Sequence, residues 1–236
     1  MDKEELAIIY EDNHIIVVIK PQNTPTQGDV SGDPDLLNQI KEYLKLSKEK
    51  AGEAFVGMVH RLDRVTGGVM VFAKTSKAAS RLSLQLKDGR FEKKYLAVVV
   101  GTPKQRSAKL QNYLLKDEKS NKVSIVGQAT EGAKKAELEY TVRELKEKIS
   151  LVEVDLITGR SHQIRAQLSN IGVPIFGDVK YGGKGSSLCA LWAYQLCFEH
   201  PTTKDRLKFV VNPPESNPWS HFDFNRKEHK LRGGEN

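Results

Sequence analysis

The chain has 236 residues, and its 37 lysine and arginine residues against 30 aspartate and glutamate residues leave a formal net charge of +7. This length suffices for one large domain or two small ones, with a core that needs no disulfide or metal. No apolar run approaches the ~20 residues of a membrane-spanning helix, and the acidic start, MDKEELAIIYED, does not resemble a secretory signal. We therefore expect a cytoplasmic protein in which Cys189 and Cys197 are reduced thiols.

The charge is unevenly distributed along the chain. Residues 74–116 carry 11 basic and 2 acidic residues, so this segment alone has a net charge of +9. A local excess of positive charge attracts polyanions and makes their binding salt-dependent. A solvated face that keeps the protein soluble would explain the same count, so the charge alone does not decide between the two readings.

Short apolar runs rich in valine and isoleucine predict a mainly β protein. The ten predicted strands lie at residues 6–10, 14–20, 55–60, 68–74, 93–101, 122–126, 136–145, 149–157, 188–198 and 207–211. Two of them, 136–145 and 149–157, alternate apolar with polar residues. We expect these two to pair antiparallel around residues 146–148, each with one buried and one wet face.

Three helices are predicted, over residues 36–46, 77–87 and 162–170. Their expected starts are marked by capping residues: Asp33 followed by Pro34, Ser76, and either Gly159 or Ser161. Gly89 and Gly172 are expected to end the second and third helices.

Strands outnumber helices and no series of βαβ units is evident. The prediction is one α+β domain, residues 1–224, built on a mixed, mostly antiparallel β-sheet with a few flanking helices. Residues 225–236 are polar and are expected to form a flexible tail. No coiled coil or long apolar edge is evident, so a monomer is expected.

The first segment that could carry chemistry is HRLDR, residues 60–64, which lies between two predicted buried strands. Asp63 has Arg61 and Arg64 on either side, and nearby cations keep a carboxylate ionised. A carboxylate fixed in such a loop could serve as a nucleophile or a general base. It could equally be a structural aspartate that ties down the turn.

The second segment, TGRSHQIR, spans residues 158–165 and connects a predicted strand to a predicted helix. Backbone N–H groups and the helix dipole at such a position favour an anion. Arg160 could meet a phosphate, and Arg165 could pair with a carboxylate from another loop. His162 is more simply explained as a hydrogen-bonded structural histidine.

The third segment is EKKY, residues 92–95, a basic strand start that carries one aromatic residue. Tyr95 could stack on a nucleic-acid base, or it could belong to the core. The six histidines show no paired metal-ligand spacing, and the sequence contains neither a GxxxxGK[ST] nor a GxGxxG phosphate loop. Chemistry without a metal or cofactor is therefore expected.

Taken together and in order, these segments resemble the RluA family of pseudouridine synthases. HRLDR with the following TGG resembles that family's active-site loop, KKYLAVVVG its tyrosine strand and LITGRSHQIRAQL its arginine helix. The runs IIYEDNHIIVVIKP, FGDVKYGG and CALWAYQLCFEHPTT resemble its opening and closing elements. The resemblance covers residues 6–213.

The resemblance implies the pseudouridine synthase fold and an isomerase that converts specific uridines of structured rRNA or tRNA to pseudouridine without a cofactor. It implies that Asp63 is the catalytic aspartate, that Tyr95 stacks on the target uracil and that Arg165 pairs with Asp63 and positions it. Arg61 would fill the gap that the flipped base leaves. The residues expected to contact RNA are Arg61, Arg64, Lys93, Lys94, Arg160 and His162, and the basic segment 74–116 would face the RNA.

The chain departs from the family pattern at three places. Gly67 replaces a usual serine, Trp192 replaces a frequent histidine, and QNTPT replaces the glycine-rich continuation after Lys20 and Pro21. None of these is a mechanistic residue, so they bear on substrate contacts rather than on the reaction. The small N-terminal RNA-binding module of many relatives is also not expected here.

Two other functions compete with the synthase. One is a non-catalytic RNA-binding or ribosome-assembly protein on the same fold, against which the intact set of Asp63, Tyr95 and Arg165 argues. The other is a glycosidase-like hydrolase, which needs a second carboxylate as general acid. The other carboxylate in the three segments is Glu92, and nothing in its surroundings marks it as an acid.

Overall fold

One continuous β-sheet carries the fold in the computed structural model, which describes residues 6–47, 54–185 and 188–224. Within these ranges the sheet has eleven strands. They are β1 (Ile8–Glu11), β2 (Ile15–Lys20), β3 (Gly57–Met58), β4 (Gly67–Ala73), β5 (Glu92–Val100), β6 (Ser107–Asp117), β7 (Lys122–Val126), β8 (Lys134–Leu145), β9 (Ile149–Leu156), β10 (Leu191–Glu199) and β11 (Arg206–Val210). The helices are α1 (Leu36–Ser47), α2 (Ser76–Lys87) and α3 (Gln163–Asn170).

The strand order along the sheet is β1-β2-β4-β10-β5-β9-β8-β6-β7, with β3 paired to β4 and β11 paired to β10. Every pairing is antiparallel except that of β4 with β10, where Gly67 lies opposite Trp192. The predicted α+β class with a mixed, mostly antiparallel sheet is therefore confirmed. The parallel pair places the chain segments that precede β4 and β10 at the same end of the sheet.

The two faces of β2 and β4 are both buried, because α1 covers one face and α2 the other. Alternate residues of the strands divide between two apolar clusters, as the two-residue period of a strand requires. Ile16 and Phe72 pack in the same cluster as Leu36 of α1, whereas Val17 and Val71 pack in the cluster of Leu82 of α2. Strands β2 and β4 are therefore held by packing on both faces. The loop between β3 and β4 leads directly into this rigid part of the sheet.

The structure corrects several predicted boundaries. Asp33 does not cap α1; the side chain of Asp35 accepts a hydrogen bond from the backbone N–H of Asn38 at 3.0 Å. Thr75, not Ser76, caps α2 by accepting from Ala78 N at 3.1 Å. Helix α3 begins directly after His162, which takes a left-handed conformation with φ 48°.

One whole strand was not predicted. The strand β6 has eleven residues, and it pairs with both β7 and β8. It contains lysine, glutamine and asparagine, and most of its residues are partly or fully exposed, so its sequence forms no apolar run.

The predicted tail, residues 225–236, lies outside the described residues. Among the residues that the structure does describe, no helix is both long and apolar enough to cross a membrane.

Candidate active site

A cleft of about 1200 Å³ lies where three separate segments meet. They are the loop between β3 and β4 (residues 59–66), the start of β5, and residues 156–165 at the end of β9 and the beginning of α3. Asp63, Tyr95 and Arg165 each come from a different one of these segments, and all three line the cleft. The fold therefore brings together the three residues that the sequence selected for chemistry.

The loop that carries Asp63 is held by the ammonium group of Lys20. This group is fully buried at the end of β2 and donates to three backbone carbonyl oxygens: Thr24 at 2.6 Å, Pro21 at 2.9 Å and Arg64 at 3.1 Å. Burial lowers the pKa of Lys20 to about 7, while the nearby charge of Asp63 acts in the opposite direction. Lys20 thus ties the residue next to Asp63 to the central sheet.

Two further side chains complete the support of this loop. Thr26 Oγ1 donates to the carbonyl oxygen of Leu62 at 2.9 Å, and Gln22 Nε2 donates to that of Val65 at 3.0 Å. Buried backbone groups that no strand pairs need such partners. The position of Asp63 is consequently set by side chains from residues 20–26 rather than by regular secondary structure.

Arg165 joins two carboxylates at the base of the cleft. Its guanidinium donates from Nε and Nη2 to the two oxygens of Asp178, at 2.7 and 2.8 Å, and Nη1 lies 3.4 Å from Oδ2 of Asp63. The side chains of Arg165 and Asp178 are only 6% and 2% exposed, whereas that of Asp63 is 27% exposed. Of the two carboxylates, Asp63 is therefore the one that a bound molecule can reach.

Tyr181 supports both groups that approach Asp63. The guanidinium of Arg165 lies over the Tyr181 ring at 5.0 Å from its centroid, and the Tyr181 hydroxyl lies 2.9 Å from Nδ1 of His162. The same hydroxyl accepts from the backbone N–H of Val123, so its own proton is available to Nδ1. A neutral ring then carries its proton on Nε2, which is 4.0 Å from Oδ2 of Asp63. Burial lowers the pKa of His162, which favours this neutral ring.

Tyr95 lies in the wall of the cleft on β5. Burial, together with the negative charge of Asp63, raises the pKa of the Tyr95 phenol, so the ring stays neutral at physiological pH. Lys93 is two residues earlier on the same strand and lines the same cleft, as strand periodicity requires. Lys94 lies on the opposite face, where it pairs with Glu153 and Asp155 at 2.8 and 3.0 Å. The structure therefore does not bring Lys94 to the cleft.

The remaining residues expected to contact RNA are Arg61, Arg64 and Arg160. They form the outer edge of the cleft, which we call the rim. Arg61 is exposed and makes no hydrogen bond or ion pair with another described residue. The exposed Arg160 donates from Nε to the backbone oxygen of Lys135 at 3.0 Å and lines the cleft. Arg64 pairs with Asp29 and Asp33, whereas the arginine that meets Asp63 is Arg165. The effect of the flanking Arg61 and Arg64 on the charge of Asp63 stays a prediction.

The lining of the cleft is strongly basic. It contains eight lysine and arginine residues against two aspartates, Asp29 and Asp63. The basic residues are Arg61, Arg64, Lys87, Lys93, Lys116, Arg160, Arg165 and Lys180. Three of them, Lys87, Lys93 and Lys116, come from the basic segment 74–116, so part of that segment does face the cleft.

The three departures from the family pattern meet at one point beneath the Asp63 loop. A Cβ atom on Gly67 would lie 2.4 Å from the Trp192 ring and 2.8 Å from Cγ of Gln22. Side-chain atoms cannot approach so closely, so a serine at position 67 is incompatible with the present position of Trp192. The side chains of residues 22 and 192 both pack against Gly67, so the three departures depend on one another.

Sequence reasoning missed several residues that shape the site. The sequence places Asp178 and Tyr181 in a closing element and Lys20 at the end of a predicted strand, with no function indicated for any of the three. His60 accepts from the backbone N–H of Val71 at 3.1 Å, and burial lowers its pKa to about 3, so it is a neutral group that anchors the loop to β4. The signal that could have found Asp178 is a carboxylate within an otherwise turn-forming FGDVKYGG run. Among the described residues, no group of three histidine, cysteine, aspartate or glutamate side chains could hold a metal ion.

Comparison with known proteins agrees with this geometry. The RNA pseudouridylate synthase family matches residues 14–170 of the chain. An uncharacterized RNA pseudouridine synthase of Aquifex aeolicus is 37% identical over 227 residues, covering 89% of this chain and 70% of that protein. The ribosomal large subunit pseudouridine synthase C of Pasteurella multocida is 34% identical over 219 residues, covering 89% of this chain and 64% of that protein.

A solved structure shares the fold. It is that of human RNA pseudouridylate synthase domain containing 4, which is 25% identical, has a TM-score of 0.75 and is matched over 88% of both chains. The chain therefore belongs to the RNA pseudouridylate synthase family. Conversion of uridine to pseudouridine in RNA, the isomerase function that the sequence predicted, is confirmed at the level of this family.

Proposed function

We propose that this protein converts specific uridines of large-subunit ribosomal RNA to pseudouridine, with Asp63, Tyr95 and Arg165 as its catalytic residues. One observation carries this assignment: the partly exposed Asp63 lies at the base of a basic cleft, beside a buried arginine and a neutral tyrosine. The non-catalytic RNA-binding alternative explains the basic cleft but not the single reachable carboxylate at its base.

The reaction is an isomerisation. The bond between C1′ of the ribose and N1 of the uracil breaks, the base turns within the site, and C1′ bonds to C5. The proton leaves C5, and N1 gains one, so no oxidant, reductant or second substrate is consumed. Because the target base must first leave its stack, the site must hold the extruded nucleotide.

Each of the three residues has a separate task in this scheme. Asp63 is placed to act as nucleophile or general base, since its carboxylate is partly exposed at the base of the cleft. The Tyr95 ring supplies a flat surface for the uracil, and stacking of a base on an aromatic ring contributes about 1–3 kcal/mol. Arg165 keeps the carboxylate of Asp63 in place from the buried side.

The rim supplies the affinity for RNA. We assign phosphate contacts to Arg160, Lys93, Lys116 and Lys180. We assign to Arg61, which has no partner among the described residues, the gap that the extruded base leaves. His162 contacts the target nucleotide from the side of Asp63. Binding of this kind releases counterions, so it weakens as salt rises.

The choice of large-subunit ribosomal RNA is supported by the names of relatives such as the ribosomal large subunit pseudouridine synthase C of Pasteurella multocida. We further propose that the protein works as a monomer in the cytoplasm. Fractionating the labelled RNA into ribosomal and transfer RNA tests the choice of substrate directly.

The test of the reaction measures tritium release. Total RNA carrying tritium at C5 of uracil, from cells that lack the protein, is incubated with the purified chain and no cofactor. The expected result is release of tritium into water by the wild type and none by Asp63→Asn, whose RNA affinity changes little. The matched control is Asp155→Asn, because Asp155 pairs with Lys94 on the outer face of the sheet. Full activity in Asp63→Asn contradicts the catalytic assignment, and RNA binding without release by the wild type favours the binding-protein alternative.

A further inference from the structure

Asp178 makes a two-bond contact with Arg165, although it lines none of the cleft. Its two oxygens accept from Nε and Nη2 of Arg165 at 2.7 and 2.8 Å, the geometry of a bidentate charge-assisted pair. The contact that Arg165 makes with Asp63 is 3.4 Å long and uses Nη1 alone. Arg165 is thus bound primarily to a carboxylate that no substrate can reach.

This division follows from the rigidity of the guanidinium. Its five N–H groups lie in one plane, so a bidentate pair along one edge fixes the direction of the remaining N–H groups. The Tyr181 ring against the guanidinium at 5.0 Å prevents it from turning about its own axis. Two contacts on the buried side therefore determine where Nη1 points, and Asp63 meets only that one nitrogen.

We infer that Asp178 is a positioning residue that competes with Asp63 for Arg165 and so keeps the reactive carboxylate from forming a tight, charge-neutralising pair. The inference rests on the proposed function of Asp63. Without Asp178, the cation would have Asp63 as its nearest carboxylate, and Arg165 would move toward it. A carboxylate held in a bidentate pair is a weaker base and nucleophile than one held by a single long contact.

Other charged and titratable groups also surround Asp63, and they remain in place when Asp178 is changed. They are Lys20 at the end of β2, Tyr95 on β5, His162 before α3, Tyr181 after it and Cys189 before β10. A change confined to Asp178 therefore tests how Arg165 divides its hydrogen bonds between Asp178 and Asp63.

The experiment measures single-turnover tritium release, with enzyme in excess over C5-labelled total RNA, between about pH 4 and pH 8. Asp178→Asn keeps the shape of the side chain and removes its charge. We expect the pH of half-maximal rate on the acid side to fall by about one unit, because the cation then stabilises the ionised Asp63 more strongly. We expect the rate at neutral pH to fall about 10- to 100-fold, while the Kd for RNA stays within about twofold of the wild type because Asp178 is buried.

A second variant separates charge from packing. Asp178→Glu keeps the negative charge but lengthens the side chain, so its rate is reduced at every pH while the acid-side midpoint stays at the wild-type value. If Asp178→Asn does not fold, a shifted midpoint in Asp178→Glu still contradicts the inference. If both variants fold, equal midpoints in Asp178→Asn and the wild type contradict it.

A matched control removes a carboxylate of similar structural importance elsewhere. Asp12 accepts from His200 Nε2 at 2.8 Å and from the backbone N–H groups of His14 and Ile15, far from the cleft. Asp12→Asn is expected to lower the melting temperature and to leave the acid-side midpoint unchanged. Absence of tritium release in the wild type contradicts the proposed function, whereas an active wild type with an unmoved midpoint in Asp178→Asn contradicts only the role of Asp178.

Discussion

The base and the rim of the cleft differ in how their charges are treated. At the base, Arg165 and Asp178 are nearly inaccessible to water and are joined by two bonds shorter than 3 Å. At the rim, Arg61 has no ion-pair partner among the described residues, and Arg64 pairs with Asp29 and Asp33, all three of which are more than one third exposed. Electrostatic interactions are strong where water is excluded and are screened by salt where it is not. The difference supports the proposal that the chemistry takes place at the base and that the salt-dependent affinity for RNA comes from the rim.

The largest effect after the loss of Asp63 is expected from Tyr95, which borders both regions. Tyr95→Leu removes the aromatic surface, and a loss of about 1–3 kcal/mol of stacking corresponds to about a 5- to 150-fold slower single-turnover release of tritium. Tyr95→Phe keeps the ring and is expected to be clearly milder. Equal losses in the two variants would assign a chemical role to the hydroxyl instead. Thermal unfolding of both variants controls for the stability of β5.

An effect on stability rather than on rate is expected beneath the base of the cleft. Gly67→Ser forces a Cβ atom against the Trp192 ring, and such overpacking costs about 1–3 kcal/mol. The melting temperature should fall by about 2–4 °C for each kcal/mol in a chain of this size. Gly127→Ser is the matched control, since a Cβ there meets its nearest neighbour at 3.9 Å.

The same prediction is sharpened by a double variant. Gly67→Ser combined with Trp192→His should be more stable than the sum of the two single changes implies, because the smaller ring relieves the contact. Additive losses in melting temperature would show that residues 67 and 192 do not share the space that their geometry indicates.

The smallest effect is expected at the rim and separates two neighbouring arginines. Arg61→Ala should flatten the plot of log Kd for RNA against log salt concentration by about 0.7–0.9, because a cation placed in the gap between the phosphates is removed and about one counterion fewer is released on binding. Arg64→Ala should change the slope less, because its guanidinium already has two carboxylate partners. Binding is measured in the Asp63→Asn background so that no turnover intervenes. A larger change of slope in Arg64→Ala than in Arg61→Ala would show that Arg64, rather than Arg61, contributes the charge that binds RNA.

Local patterns predicted most of the fold. The strands with apolar alternation, such as β8 and β9, were predicted within one or two residues of their observed bounds. A strand with one buried face has apolar residues at every second position, and this pattern is visible in the sequence. Strand β6 was missed because the residues of its apolar face, Ala108, Leu110 and Leu114, are interrupted by the polar Asn112, and pairing with strands on both sides adds to its stability. The cap of α1 was misplaced by two residues because Asp33 and Asp35 are both good capping residues, and their tertiary contacts decide between them.

The candidate site was predictable for the residues that line the cleft, but not for the residues that support them. Asp63, Tyr95 and Arg165 stand in segments whose composition marks them, and the structure brings all three to the cleft. Asp178 could not be assigned a role, because its partnership with Arg165 depends on how α3 packs against the turn that follows it. Lys94 was included because it is basic and adjacent to Lys93, yet the pleat of β5 sends the two side chains to opposite faces.

The single parallel pairing, of β4 with β10, also sets the order in which the protein becomes active as it folds. Gly67 and Trp192 are far apart in the chain, yet they are neighbours in the sheet, so their pairing closes one of the longest loops of the molecule. Contacts between such distant residues form late, because the entropy of closing the loop is lost before the contact repays it. The Asp63 loop leads into β4 and the Asp178 turn leads toward β10, so we expect the two carboxylates to meet at Arg165 when this pairing forms. Recovery of enzymatic activity during refolding therefore reports on the most distant contact of the sheet, whereas hairpins such as β8–β9 can form earlier without producing any activity.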